Sequence, residues 1–367
     1  MDLLAVGSYT HHSSLDARGS GVSIVERDGN SGNLRVVDSY GDLRNPTYLA
    51  WLPEKRILYA VSEFPGKNTG VAAFGVDVHG RLDFLGEAGG KNASSCHLTV
   101  VPEACRIYTA SYGDGSLNVF GTSGGIPDRL IGAVRYTGSG ADTVRQESSH
   151  AHQAVMGPGG FLYVCDLGSD CVWLHKPEDL ENSGGRAGAG RGRSLTVPAG
   201  FGPRHLLFDP VLPAAYVLCE LVPKILVARV DSASGKMEII QEEDTVEASG
   251  FDIAAPAALK MHPSGRTLAV SNRFDDTVAV FDVRRPAGSG DAGPRLELSG
   301  RFPCGGKAPR DIEFDSSGST LFIANQDSHN VSCRSFNAQS GKDAGSWESG
   351  LQTGTPVCVL MLDSSNK

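Results

Sequence analysis

The sequence predicts an all-β chain closed into a seven-bladed β-propeller of four-stranded antiparallel blades. Three observations predict it. A hairpin unit recurs about every 50 residues, each unit carries four short strand-like runs, and the two chain ends hold complementary parts of one further unit. A period of that size with four strands is the mark of a propeller blade. Composition agrees: 46 glycines in 367 residues and no sustained 3.6-residue apolar period point to short strands joined by turns.

The unit is clearest at Gly202-Pro-Arg-His-Leu-Leu-Phe-Asp-Pro210, where an apolar strand runs into a turn and returns as Ala215-Tyr-Val-Leu-Cys219. With Pro210 as position zero, the matching turns fall at Pro53, Pro102, Pro158, Pro263 and Ser316, at spacings of 49, 56, 52, 53 and 53 residues. Each turn is followed by a similar second strand (57–61, 107–111, 162–165, 215–219, 268–271 and 321–324). Third strands are expected at 70–76, 116–120, 171–175, 225–230, 277–283 and 330–336, with a more polar fourth strand such as 237–241. Residues 3–39 hold second, third and fourth strands but no first, and 355–363 read as a first strand alone. One blade built from both ends closes the ring and removes two exposed sheet edges. The chain is therefore expected to be a single propeller domain over 1–367. Its blades are expected near 1–41 with 355–367, 45–89, 92–134, 148–198, 201–244, 253–300 and 307–354.

First strands of a propeller line its central channel, so the repeat becomes a map of one channel mouth. Residues equidistant from a hairpin turn face each other across the ladder, which brings position −6 to position +10. Position −6 holds Thr47, Cys96, His152, Arg204, Ala257 and Arg310; position +10 holds Glu63, Tyr112, Gly168, Glu220, Arg273 and Gln326, with Ser8 from the composite blade. A structural ring would repeat small or apolar residues here. This one presents imidazole, guanidinium and carboxylate groups instead. A long polar loop, 136–147, precedes Ser148-Ser-His-Ala-His152, and long loops in compact domains are commonly functional. Strand alternation directs His150 and His152 to one face. His150, His152, His205 and Asp166 have the chemistry of metal ligands, but Arg204 and Arg273 in the same mouth repel a cation. No metal and no cofactor are expected.

Bulk properties exclude other classes. A net charge of −9 argues against nucleic-acid or anionic-membrane surfaces, and no apolar run approaches a membrane span. The start, Met-Asp-Leu-Leu-Ala-Val-Gly, lacks the basic region and long apolar core of a secretory signal. Eight scattered cysteines without a C-x-x-C pair suit reduced thiols. A cytosolic setting is expected. The Gly-rich stretch 184–193 lacks the strand-to-helix context of a dinucleotide cradle and reads as an insert in the His152 blade. Residues 284–294 read as a surface loop, and Asp170, Asp275, Asp276 and Asp327 as turn caps.

The repeats carry several texts that together resemble the lactonase family of seven-bladed propellers, which includes bacterial-type 6-phosphogluconolactonases and fungal carboxymuconate lactonizing enzymes. They are Gly7-Ser-Tyr-Thr10, Gly138-Ser-Gly with Arg145-Gln and His150-Ala-His152, Leu162-Tyr-Val-Cys-Asp-Leu-Gly-Ser-Asp170, Gly202-Pro-Arg-His205 with Glu220, Val270-Ser-Asn-Arg273, and Pro309-Arg-Asp with Ala324-Asn-Gln-Asp-Ser328. The likeness runs over essentially the whole chain. It departs at turns, with Val211-Leu-Pro-Ala214 in place of a Gly-bearing turn and Pro223 in the Glu220 blade. The resemblance implies a His, two Arg and a Glu as the catalytic set, and by register these are His152, Arg204, Glu220 and Arg273, the mouth positions reached from the hairpin alone. His150, His205, Arg310, Gln326 and Glu63 are the expected substrate-binding residues.

The implied partner is a small anionic sugar lactone or a polycarboxylate, and the implied reaction is hydrolysis of a lactone, foremost 6-phosphogluconolactone in the pentose phosphate pathway. Pairing with Arg204 weakens Glu220 as a base, so His152 is the expected proton acceptor. Arg204 or Arg273 would stabilise the oxyanion, and a remaining arginine together with Arg310 would hold a phosphate. The alternatives are a muconate-type lactonizing cyclase and, in a different class, a non-enzymatic propeller that binds proteins on its rim.

Overall fold

The second strand of each repeat is apolar on both sides, and the structure shows why. Ile57–Val61, Leu162–Asp166, Ala214–Cys219, Thr267–Arg273 and Thr320–Asn325 are buried at every position. Each lies in a sheet covered by a neighbouring sheet on either face, so pleat alternation has no polar side to show. A tyrosine recurs near the same place in four second strands, as Tyr59, Tyr108, Tyr163 and Tyr216, and all four are fully buried. Fourth strands run along the rim and mix exposed, half-buried and buried positions, with Asp343–Gln352 the most exposed of them.

The computed structural model describes residues 2–12, 15–29, 31–66, 69–181, 192–286 and 293–362. Seven four-stranded antiparallel sheets result, with a single short α-helix, Pro177–Leu180, among the described residues. Blade 1 is composite: Pro356–Met361 pairs with Asp2–Ser8, which continues to Val22–Arg27 and Leu34–Tyr40. Blades 2 to 7 span 49–92, 95–135, 151–196, 203–244, 255–303 and 309–352. The closing register sets Leu4 against Met361, Val6 against Val359 and Gly7 against Cys358. The core lies between blades, as where Tyr163, Cys165 and Val172 of blade 4 pack with Leu206, Val217 and Leu226 of blade 5. Most of the Gly-rich stretch 184–193 and the centre of 284–294 lie outside the described residues.

Candidate active site

Two backbone devices repeat around the ring and aim side chains at one mouth. The first is a clamp at position +10. The N–H groups of Glu63, Tyr112, Glu220 and Gln326 donate to the carbonyls of Asn45, Ser94, Gly202 and Ala308, each 18 residues earlier, at 2.8–3.1 Å. The second is a bulge at position −6. The ladder register breaks between Ser95 and His97, Ala151 and Gln153, Pro203 and His205, and Pro309 and Asp311. Cys96, His152, Arg204 and Arg310 are therefore extra residues without a partner across the ladder. A bulge re-aims the side chain it carries. Simple equidistance, which sets Arg204 directly opposite Glu220, is corrected in this respect: Pro203 faces Cys219 and His205 faces Leu218. The side chains meet all the same. Arg204 Nε donates to Glu220 Oε2 at 2.7 Å, Thr47 Oγ1 to Glu63 Oε2 at 2.5 Å, and Arg310 Nη1 to Gln326 Oε1 at 3.3 Å.

Glu220 is the centre of the charge pattern. Arg204 and Arg273 bind Oε2, the latter at 3.1 Å, while Arg145 Nη2 binds Oε1 at 2.6 Å and also donates to the Tyr112 hydroxyl at 3.3 Å. Burial by itself raises a carboxyl pKa. Here Arg273, Arg204 and Arg145 outweigh it and hold Glu220 well below the usual range. Burial also pulls the Arg273 guanidinium down to about 10, with Arg310 and Arg204 pushing the same way against Glu220. Arg273 Nε is spent on the Ala255 carbonyl at 3.2 Å, and Arg204 Nη1 on the Ala257 carbonyl and on His205 Nε2 at 3.1 Å.

His152 is buried in the same field but unbound. Burial first, then Arg204, drive its pKa well below the ordinary imidazole value, so the ring is neutral near pH 7. Neither ring nitrogen has a hydrogen-bond partner among the described residues, and Nδ1 is fully buried. The ring lies 5.3 Å from that of His205 and 5.9 Å from that of Tyr112. His152, Arg204, Arg310, Glu63 and Cys96 line a cavity of about 10 Å³, room for one water-sized sphere. His205 also lines it, and its ring lies 5.9 Å from that of His97, which meets Tyr48 at a tilt with ring centres 4.0 Å apart.

The opposite wall is a chain of polar contacts. Arg310 Nη2 donates to the Tyr9 hydroxyl at 3.0 Å, and that hydroxyl donates to Glu63 Oε1 at 3.2 Å. Beyond Tyr9 and Glu63 the mouth widens into a pocket of about 640 Å³ over the composite blade. His150 stands apart from His152. Its strand begins only at Ala151 and the register breaks at once, so alternation does not link the two histidines. The His150 ring stacks on Tyr112 at 4.4 Å, with Nδ1 2.8 Å from the Tyr112 carbonyl and Nε2 3.1 Å from Glu147 Oε1.

Two residues of the constellation, Arg145 and Tyr9, escaped the positional map. Both lie in texts that carry the family resemblance, but neither occupies position −6 or +10. Arg145 comes from the long loop outside the repeat, and Tyr9 follows the end of its strand by one residue. Asp170 behaves as a turn cap, accepting the N–H groups of Gly200 and Gly202 at 2.7 and 2.9 Å. Among the described residues, no three His, Cys, Asp or Glu side chains gather as metal ligands would.

Comparison with known proteins fits this arrangement. The family model described as lactonase, seven-bladed β-propeller, matches residues 3–361. The chain belongs to that family. The lactonase is 29% identical to the 6-phosphogluconolactonase of Bacillus subtilis over 362 residues, 97% of either chain. It is 26% identical to the 6-phosphogluconolactonase of Formosa agariphila over 345 residues, 92% of this chain and 93% of that one. Among solved structures, the periplasmic gluconolactonase of Pseudomonas aeruginosa superposes with a TM-score of 0.82 at 25% identity, covering 99% of each chain. With family membership shown, the reading as a non-enzymatic scaffold falls away, and the protein is an enzyme of lactone hydrolysis. No helix among the described residues is long and apolar enough to cross a membrane.

Proposed function

We propose that this lactonase hydrolyses 6-phosphogluconolactone to 6-phosphogluconate as a step of the pentose phosphate pathway, acting in the cytosol as a single propeller domain. The relatives named 6-phosphogluconolactonase support the substrate, and eight free cysteines suit a reducing compartment. The observation that carries the reading is the pairing of a neutral, unbound His152 with four guanidiniums in one mouth. Against Arg145, Arg204, Arg273 and Arg310 stand two carboxylates, Glu220 and Glu63. That leaves a positive surplus suited to a phosphorylated sugar acid.

In this reading a water attacks the lactone carbonyl carbon while His152 takes one of its protons. The carbonyl oxygen becomes an oxyanion beside Arg204 and Arg273, whose positions Glu220 fixes before substrate arrives. The tetrahedral intermediate then expels the ring oxygen. The carbon–oxygen bond breaks, the proton on His152 passes to the leaving alkoxide, and the new carboxylic acid gives up its remaining proton to solvent, leaving a hydroxy acid with an ionised carboxylate. Glu220, bound on both oxygens by arginines, is a positioning residue rather than the base. Glu63, Gln326 and Arg310 form the wall that meets sugar hydroxyls, with His205 and His150 holding the floor and the rim.

The test is hydrolysis of freshly generated 6-phosphogluconolactone, coupled to a downstream dehydrogenase in the presence of chelator. Wild type is expected to exceed spontaneous opening, and His152→Ala to lose about 10²- to 10⁴-fold, with Arg204→Ala comparably impaired. A wild type no faster than the spontaneous reaction would overturn the substrate. The same arginine surplus suits a polycarboxylate, so a muconate-type acid is the second compound to assay.

A further inference from the structure

Arg145 differs from the other three arginines of the mouth in origin, exposure and commitment. It stands on the loop 136–147, outside the ring of repeats. Its side chain is 42% exposed, against 4% for Arg204 and 10% for Arg273. Arg204 and Arg273 have donors tied to backbone carbonyls as well as to Glu220. Both Nη atoms of Arg310 are engaged, by Gln326 and by Tyr9. Arg145 binds the protein through Nη2 alone, so its Nε and Nη1 have no partner among the described residues.

Its loop is built to hold that side chain in place. Gln146 is fully buried and donates through Nε2 to the Leu167 carbonyl at 2.8 Å and to Asp170 Oδ1 at 2.7 Å. Its Oε1 accepts the Asp142 N–H at 3.0 Å, and Asp142 Oδ1 in turn accepts the N–H groups of Val144 and Arg145 at 2.9 and 3.0 Å. The outcome is an ordered arm with two unspent guanidinium nitrogens, Nε and Nη1, over a site already rich in positive charge. Guanidinium N–H groups bind phosphate oxygens by charge-assisted hydrogen bonds.

We infer that Arg145 is the specificity residue of this mouth, binding the anionic substituent remote from the lactone ring and selecting phosphorylated over unphosphorylated sugar lactones. This rests on the lactonase reading above and deepens it. Because Arg145 also touches Glu220, its loss affects catalysis in general. The selectivity between two substrates separates the roles.

The experiment compares kcat and KM of wild type, Arg145→Gln and Arg145→Lys on 6-phosphogluconolactone and on glucono-δ-lactone, with inorganic phosphate as a competing anion. Arg145→Gln is expected to lower kcat/KM for the phosphorylated substrate about 10- to 100-fold more than for the unphosphorylated one, mainly through KM. Arg145→Lys keeps the charge but not the planar array of donors, so it should fall between, and phosphate should inhibit wild type more strongly than Arg145→Gln. Equal losses on both substrates, or an unchanged ratio, would overturn the assignment and leave Arg145 as a support for Glu220. Melting temperatures of both variants separate either result from misfolding, and Arg145→Lys decides the question alone if Arg145→Gln does not fold. A wild type inactive on the phosphorylated substrate overturns the reading beneath it, whatever the variants do.

Discussion

Glu220 and His152 share one guanidinium field and answer it in complementary ways. The carboxylate is held ionised and spent on arginines, while the imidazole is held neutral and left unbound. The sign of the pH dependence follows. A base whose pKa lies well below 6.5 stays unprotonated as pH falls through neutrality, so kcat/KM should remain level from pH 8 through 6.5 and decline only well below that. Arg310 is one of the charges that depress His152. Arg310→Gln should therefore raise the imidazole pKa and move the acid limb toward neutral pH. A pH–rate profile between 5 and 8, where spontaneous opening can be subtracted, measures both. A limb that shifts downward in Arg310→Gln would sink the assignment of His152 as base.

Legibility at this scale tracked periodicity. His152, Arg204, Glu220, Arg273, Arg310, Gln326 and Glu63 stand at two fixed distances from recurring turns, and the structure brings them to one mouth. His150 was drawn in by alternation, which a bulge one residue into its strand defeats. Arg145 and Tyr9 obey no period, since a loop residue reaches a site through its anchors, and anchors such as Gln146 and Asp142 have no repeating text.

The strand elements owe their aim to irregularity. Regular pairing would send position −6 along the pleat, whereas the bulge frees it to turn into the channel. An idealised register still predicts which side chains meet, because a shift of one at the strand end leaves long side chains within reach. Gly168 shows how tight the packing of these elements is. It occupies position +10 of blade 4, and a Cβ there would lie 1.8 Å from the Ser148 carbonyl and 2.9 Å from the His150 nitrogen. In this blade the strand-end bond moves to Leu167, whose N–H donates to the His150 carbonyl at 3.0 Å. Gly168→Ala should displace the segment leading into His152. We expect a loss of about 1–3 kcal/mol in denaturant unfolding together with reduced kcat. Unchanged stability and rate would mean that the segment yields freely.

For the whole molecule, the pairing of Pro356–Met361 with Asp2–Ser8 converts an open array into a ring. This closure was the most readable feature of all, because missing strands at the two ends are complementary. A chain cut before residue 355 should expose the edge of Asp2–Ser8 and the flank of blade 7. It is expected to associate on light scattering and to melt below the intact chain. A monomeric truncation that melts with the intact chain would show that the six remaining blades close without the strand.

Closure also bears on when the enzyme comes into being. Tyr9, in the wall with Arg310 and Glu63, has its N–H held by the Thr355 carbonyl at 3.2 Å. The strand beside it is made roughly 350 residues after the one it locks. On the ribosome the first blade must wait, with an open edge, through the synthesis of the other six. The mouth gains its last wall only when the final strand clears the exit tunnel, so nascent chains are without the finished site and their edge strand is at its most vulnerable to mispairing during that interval.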